Sequence, residues 1–530
     1  MSRPWSLLAA LAVLIVGPIA LRPRGDAVVL KGQDTVVVIT PHNEAIRSEF
    51  GRGFREWYER KTGRTVAVDF RTPGGTSEIG RYISGQYKAA FQYHWEKTLG
   101  RKWGKDVESG FVDSKILPDK TPEDDTAAQS ARRAFLESEI HSGMDVFFGG
   151  GSFDFIGIAG QGFIVDCGFV SAHPELFGVG KPIEPVVGGE PYYDEGGRWI
   201  GTAIGAFGIA YNRDRIAKLG LQPPQRWADI ADARYFRSLA LANPMQSSSA
   251  NKAFEMLIQQ QMNEAGADNA EGWQRAIRLL QRIGANSRYF SDSSAKISLD
   301  VESGEAAAGM TIDFYGRYQS EAVRRADGSS RIGYSDAKGG TSFGVDPVGL
   351  LRGAPNKAVA LAFIEYSLTE GQKLWGWKVG APGGPKTHAL RRLPMLPSLY
   401  AEEFRPMRSD PDVMPYVAAK DFTYDAKRTG SLFGSIAFIV RVMCVDTHPE
   451  LIKAWGELIA AQEKNGSFPP EALAAFQEVG AVDYAAAKGR IKEALAKDAP
   501  KIRQVQLAKE LSDQFRANYL KAAELARLGR

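Results

Sequence analysis

Five polar stretches hold the residue types that could do chemistry. Pro41-His-Asn-Glu44 sets an imidazole and a carboxylate two positions apart, and Asp313-Phe-Tyr315 sets a carboxylate beside a phenol. Thr72-Pro-Gly-Gly-Thr-Ser77, Gly149-Gly-Gly-Ser152 and Asn243-Pro-Met-Gln-Ser-Ser-Ser249 offer glycines and hydroxyls. Glycine allows a backbone N–H to approach a ligand closely, and a hydroxyl donates or accepts as the ligand requires. The candidate ligand contacts are therefore His42, Glu44, Thr76, Ser77, Gly150, Ser152, Ser247, Ser248, Asp313 and Tyr315. Each stretch also has a plain structural use. Pro-Gly-Gly-Thr-Ser is good turn and N-cap chemistry, Gly149–Ser152 suits a tight strand-to-helix turn, and Ser247–Ser249 and His42 could cap helices. Position sets the five together: each follows a run that reads as a strand. In open α/β sheets ligands sit outside the carboxyl ends of strands, where loops and helix N-termini present N–H groups.

Catalytic signatures do not accompany them. There is no H-E-x-x-H, no P-loop and no G-x-G-x-x-G after a strand. Gly380-Ala-Pro-Gly-Gly-Pro-Lys-Thr387 has a superficial likeness to a P-loop but lacks the Gly-Lys pair. Six histidines are scattered, and Cys167 and Cys444 have no metal-type spacing. Pairing of the two thiols stays open, since separation in sequence says nothing of proximity. These residues support no hydrolase, though they leave one open beside a ligand-binding protein or a ligand-sensing receptor module.

The elements that must position these loops alternate. Thr35–Thr40 reads as a buried strand, and a helix from Asn43 carries Ile46, Phe50, Phe54, Trp57 and Tyr58 on one face, closing at Gly63. Thr65–Phe70 is a second strand, so the unit is β-α-β with parallel pairing. A helix with Ile79, Tyr82 and Ile83 follows. Residues 88–140 read as a charged insertion, helical near Ala127–Glu139. Asp145–Phe148 is a strand, as are Leu239–Ala242 and Ala306–Ile312. Asn356 opens a helix with Val359, Phe363 and Leu368 inward. Residues 447–530 are rich in Ala, Leu, Lys and Glu and read as helices.

Gly201-Thr-Ala-Ile-Gly-Ala-Phe-Gly-Ile-Ala-Tyr-Asn212 and Thr341-Ser-Phe-Gly-Val-Asp-Pro-Val-Gly-Leu-Leu351 bracket one α/β unit and follow another. Two such strands between two units make a double crossing with a cleft between lobes, and Gly201, Gly205, Gly208, Gly344 and Gly349 are the places where dihedrals could change. This pattern, with the strand and glycine turn at Asp145–Ser152, resembles the extracellular solute-binding proteins that feed ABC importers, especially the ferric-ion-binding branch. The resemblance covers Thr35–Tyr87 and Phe147–Tyr400. It implies a type II periplasmic-binding-protein-like α/β fold of two lobes and two crossing strands, with a helical C-terminal extension. The expected divisions are lobe 1 over 30–200, lobe 2 over 213–340, a return to lobe 1 over 341–446 and the extension over 447–530.

His42-x-Glu44 resembles the His-containing loop with which ferric-binding proteins hold iron. The resemblance thus implies His42, Glu44, Asp313 and Tyr315 as a metal set if the cargo is Fe(III), for which hard oxygen donors are suited. The family's adjacent tyrosine pair is here Phe314-Tyr315, which favours a non-metal solute held by Thr76, Ser77, Ser152 and Ser248. No resident cofactor is implied. The implied partners are a small solute or metal ion and ABC permease subunits in the inner membrane, with the protein itself monomeric.

Bulk properties agree with an exported binding protein. Lys and Arg number 66 and Asp and Glu 62, for a net charge of +4 over 530 residues. That is too small to imply nucleic acid. Arg3, the apolar run Leu7–Leu21 and then Arg22 and Arg24 read as a secretory signal or an N-terminal anchor over 1–24, which implies a periplasmic body. No other stretch reads as apolar enough to cross a bilayer.

Overall fold

The computed structural model describes residues 33–118, 121–496 and 499–530, so the expected signal or anchor segment lies outside the described residues. β1 (Asp34–Ile39) leads into α1 (Glu44–Thr62). Asn43 caps α1 by accepting a bond from the Ile46 N–H, and Gly63 ends it in the left-handed region at φ 70°. Ile46, Phe50, Phe54, Trp57 and Tyr58 form the buried stripe that their spacing predicts. β2 (Val66–Arg71) pairs parallel with β1 and completes the β-α-β unit.

Residues 88–140 pack onto the first core. α2 (Thr76–Tyr93) buries Tyr87 and Phe91, and α3 (Ala127–Glu137) buries Phe135. Phe91 stacks on Phe111 at 4.8 Å, and Phe111 meets Phe135 edge-on at 5.3 Å. This segment is rich in charged residues, but Phe91, Trp95, Phe111 and Phe135 turn inward and extend the first core. β3 (Val146–Phe148) then runs into α4 (Ser152–Gln161). Buried Arg132 donates to the carbonyls of Gly160 and Gln161 at the end of α4, where a cation is favoured by the helix dipole.

Short strands β4 (Ile164–Val165), β5 (Val186–Val187) and β6 (Glu190–Pro191) precede the first crossing. The stretch expected as one crossing strand is two, β7 (Trp199–Gly205) and β8 (Phe207–Asn212), with Ala206 between them. The second lobe adds β9 (Leu239–Ala242), α5 (Ser248–Glu264), α6 (Asn269–Asn286), β10 (Ser287–Ser291), β11 (Ala308–Ile312), α7 (Asp313–Ala322) and β12 (Ile332–Asp336). The chain returns through 337–343 to β13 (Gly344–Leu351), α8 (Lys357–Leu368) and β14 (Leu393–Pro394). One sheet has the order β14-β7-β13-β3-β1-β2, with β4 also on β13; the other has the order β10-β9-β11-β8-β12. In each, parallel strands (β1 with β2 and β3; β9 with β10 and β11) meet the antiparallel crossing strands. The fold is therefore the two-lobed α/β architecture with two crossing strands.

Most of the crossing glycines are there for packing. A Cβ on Gly201 would lie 2.7 Å from Val345 Cβ and 2.9 Å from the Tyr192 carbonyl oxygen, and one on Gly349 would lie 2.8 Å from Ile164 Cγ2. A Cβ on Gly208 would strike the Ser335 carbonyl. None of the five has positive φ. Gly205 and Gly344 alone have room, their nearest atoms being 3.4 and 4.0 Å away.

The C-terminal third departs most from the sequence reading. The return to the first core ends near Ala419, and Leu432 through Cys444 belong to the second core. A third passage between lobes thus runs through about 420–431, ahead of the expected boundary at 446. α9 (Phe433–Val440), α10 (His448–Asn465), α11 (Pro470–Phe476) and α12 (Lys501–Arg527) then build the second core outward. Trp455 donates to Asn286 Oδ1 at 2.8 Å and Trp273 to the Val482 carbonyl at 2.9 Å, so α6 is sandwiched by these helices. Ala426–Val445 is long and apolar enough to cross a membrane, contrary to the reading that only the N-terminal run is, and most of it is buried against the second sheet's helices. Cys167 and Cys444 are free thiols in different cores.

Candidate functional site

The polar loops do meet, along the seam between the lobes. Ser77 at the start of α2 and Ser248 at the start of α5 share a hydrogen bond of 2.7 Å across it. Phe153 on α4 packs on Phe433 on α9 at 4.6 Å. Within the first lobe, Gly149 and Gly150 have φ of 88° and 120°, which only glycine adopts readily. A Cβ on Gly149 would enter the His42 ring, and one on Gly150 would overlap Thr76 Cγ2. The loops after β1, β2 and β3 are thus packed edge to edge, as the rule about strand carboxyl ends requires.

His42 is buried against Phe148 and Trp375, with ring centroids 4.7 and 5.6 Å away. Its Nε2 lies 3.3 Å from Arg392 Nη1 and 3.6 Å from Asp346 Oδ2, and its Nδ1 has no partner. Burial, with Arg392 adding to it, holds the imidazole below its ordinary pKa, so the ring is neutral at pH 7. Arg392, whose side chain is 0 % exposed, donates from Nη1 to Asp346 Oδ2 at 2.5 Å. Burial works against charge on Asp346, but Arg392 and the bond to His42 hold its pKa below the usual carboxylate range. The Arg392 guanidinium is 4.2 Å from the ring of Phe314, so it reaches from the first lobe under the N-terminus of α7 in the second. Its Nε and Nη2 have no partner.

Asp313 is wholly buried at the start of α7, its N–H donating to the Ala206 carbonyl in the first crossing. Oδ1 accepts from the Phe314 N–H at 2.8 Å, while Oδ2 has no bond nearer than the 3.9 Å contact with Arg317 Nε. Burial raises its pKa to about 7, only partly offset by Arg317. Tyr315 lies close enough to Arg392 and Asp346 to feel both, and burial raises its phenol. Beyond this centre, Arg391 joins the lobes by bonding Asp410 through Nε and Nη2 and Glu321 through Nη1. Arg391 has φ of 51°, uncommon outside glycine, and this turn sets consecutive arginines to opposite uses.

Other predicted residues serve structure. Glu44 is exposed on the first turn of α1 and takes no part in the seam. Ser247 caps α5 by accepting from the Ala250 N–H at 3.2 Å. Ser152 is half-buried at the first turn of α4. Of the set His42, Glu44, Asp313 and Tyr315, Glu44 is exposed, while Arg392 Nη1 lies 3.3 Å from His42 Nε2. Among the described residues no three His, Cys, Asp or Glu side chains are placed to hold a metal. The glycine-rich loop at 380–387 offers no phosphate cradle either. The N–H groups of Lys386, Thr387 and His388 are taken by the carboxylate of Glu49 at 2.6–3.0 Å.

Sequence reasoning missed Asp346 and Arg392. A signal was present for the first: Asp346-Pro347 interrupts an apolar strand, and proline in a central strand marks a bulge. The register of β13 against β7 does shift between these two residues. Arg392 follows no pattern that sequence displays, since it enters the site only because β14 pairs with β7.

A second buried network locks the crossings together. Lys252 on α5 lies 3.0 Å from Glu190 Oε1 on β6 and 3.1 Å from Glu255 Oε2, and its Nζ is 3.6 Å from the ring centre of Tyr424. Ser342 in the second crossing donates to Glu190, and Tyr424 and Thr429 in the third passage donate to Glu255.

The family of bacterial extracellular solute-binding proteins has a sequence model that matches residues 181–378. An uncharacterized protein of Haemophilus influenzae is 26% identical over 193 residues, which are 36% of this chain and 51% of that protein. The matched chain thus spans about half the length of this curated relative. Among solved structures, the periplasmic binding protein AfuA from Actinobacillus pleuropneumoniae is 14% identical, with a TM-score of 0.49 over 80% of this chain and 97% of that one. HitA from Pseudomonas aeruginosa, solved with iron bound, is 15% identical, with a TM-score of 0.45 over 76% and 98%. The family match runs from before the first crossing to beyond the second and takes in the whole second sheet. Residues 181–378, which hold the whole second sheet, are therefore the part of the chain that is similar to bacterial extracellular solute-binding proteins.

Proposed function

We propose that this protein captures a small solute between its lobes outside the cytoplasm and delivers it to the permease of an ABC importer. The observation that carries the reading is the seam itself. Two lobes joined by crossing strands enclose Arg392, Asp313 and His42, each buried with a polar atom lacking a partner. Buried polar groups are almost always satisfied, so a cluster left open at a cleft marks where a ligand supplies the missing bonds. No covalent step is needed. Solute touches both lobes only when they are closed, and it shifts the open–closed equilibrium by its differential affinity for the two states. The Arg392 guanidinium beside His42 favours an oxyanion or polar organic solute over Fe(III) as cargo, because its two open N–H groups donate to oxygen and cannot ligate a metal. Export through the segment 1–24 and a monomeric state belong to the same proposal.

Mass spectrometry of small molecules released from natively purified protein, followed by small-angle scattering with and without the identified solute, tests it. The expected result is a stoichiometric solute and a smaller radius of gyration at saturation. A radius that does not change on saturation would refute the closure mechanism.

A further inference from the structure

Resting on the solute-binding reading, the geometry of Arg392 points to the class of solute: we propose that the cleft takes a small monoanionic carboxylate, gripped in two parallel bonds by Arg392 Nε and Nη2. The argument starts from how this protein uses its other arginines. Arg198 donates from Nε and Nη2 to the two oxygens of Asp194 at 2.7 and 2.6 Å. Arg391, the neighbour of Arg392, does the same to Asp410 at 3.1 and 2.5 Å. That edge of the guanidinium is a fork whose spacing matches a carboxylate. In Arg392 the same edge is complete, buried and unpartnered, while the remaining nitrogen is committed to Asp346.

The side chain cannot swing away to satisfy itself. It is held at Nη1 by Asp346 and lies 4.2 Å from the Phe314 ring and 5.2 Å from that of Trp375. A guanidinium so fixed is preorganised, and it loses little freedom when a carboxylate arrives. Phe314 belongs to the second lobe and Asp346 to the first, so an occupant of this edge is read by both. The neighbourhood also limits the charge of the solute. Asp346 already offsets the single charge of Arg392, and Glu321, Asp336 and Asp410 lie on the Arg391 and Arg317 side of the seam. The open Nε and Nη2 supply the two donors that one carboxylate needs, whereas a dianionic phosphate would bring a second negative charge beside Asp346 and be opposed. Asp313 lies on the same side as the open edge. A Cβ built on Gly205 would be 3.5 Å from Asp313 Oδ1 and 3.7 Å from Arg392 Nη2.

Calorimetric titration of the full chain tests this with defined probes: L-lactate, pyruvate, L-alanine and L-glutamate, each against its methyl ester or amide, plus glucose 6-phosphate, glucose and ferric nitrilotriacetate. The expected result is binding of at least one free acid. Its ester or amide should bind roughly 10- to 100-fold more weakly, the scale of lost bonds to a charged group. Arg392→Lys keeps the charge but removes the fork, and should weaken the same acid by a similar factor. The ester comparison uses the unaltered protein, so it decides the matter even if Arg392→Lys fails to fold. Equal binding of acid and ester, or binding only of the phosphate, the sugar or the iron complex, overturns the carboxylate proposal and leaves solute capture standing. Binding of no probe from any class overturns both.

Discussion

Replacing Lys252 by methionine should destabilise the protein out of proportion to the atoms removed. Among the described residues the ammonium is the only cation within 4 Å of two carboxylates that are almost wholly buried, Glu190 at 2 % and Glu255 at 1 % exposure. Burial alone would lower the Lys252 pKa, but the two carboxylates overcome it and raise it, so the lysine is charged at every working pH. Methionine matches the stem as far as Cε, so the change removes the ammonium together with its contact on the Tyr424 ring. Removing one partner of a buried ion pair leaves an uncompensated charge and costs about 3–5 kcal/mol. The neighbouring hydroxyls of Ser342, Tyr424 and Thr429 already donate to these carboxylates and cannot supply a further proton. Urea unfolding followed by tryptophan fluorescence, extrapolated linearly, reads the loss. Lys252→Met combined with Glu190→Gln should recover roughly 1–3 kcal/mol, the range of coupling between groups in one network. A loss under about 1 kcal/mol for the single change, or no recovery in the double, would show that the network is not an ionic lock between the crossings.

Further expectations follow from the same geometry. Asp313, whose pKa is raised by burial from 3.8 to about 7, binds more protons folded than unfolded between those values. Stability should therefore fall as pH rises from about 4 to 7 and then level, a contribution on the order of 4 kcal/mol. Asp313→Asn should flatten that part of a urea-midpoint profile against pH. Truncation after residue 446 should leave the second lobe unable to hold near-ultraviolet circular dichroism, because α10 to α12 supply much of its core. Trp455→Ala in the full chain should cost about 3–5 kcal/mol by urea titration. Gly201→Ala should lower the melting temperature measurably by calorimetry, since its Cβ meets Val345 at 2.7 Å, while Gly205→Ala, with 3.4 Å of clearance, should change it little.

Local pattern alone determined a good deal here. α1 was legible because its apolar spacing, its Asn43 cap and its Gly63 terminus are all written within about 20 consecutive residues and agree. The crossing strands were legible because β-branched and small residues predominate there. The loops at the strand ends were legible as a set, because β-α-β order dictates which ends share a face. β10 and β12 were not, since Ser287-Arg-Tyr-Phe-Ser291 and Ile332-Gly-Tyr-Ser-Asp336 are polar and strand-like only when neighbours pair with them. Residues 447–530 announced helices but not which lobe they would cover, for an amphipathic stripe does not name its partner. The centre of the site was decided by tertiary structure. Arg392 lies 350 residues from His42 along the chain, and only the pairing of β14 with β7 brings its guanidinium to the ring. Its charge is tolerated there because Asp346, displaced by a bulge in β13, arrives from a third segment to meet it. Burial, which no local pattern encodes, then sets the protonation of His42 and Asp313.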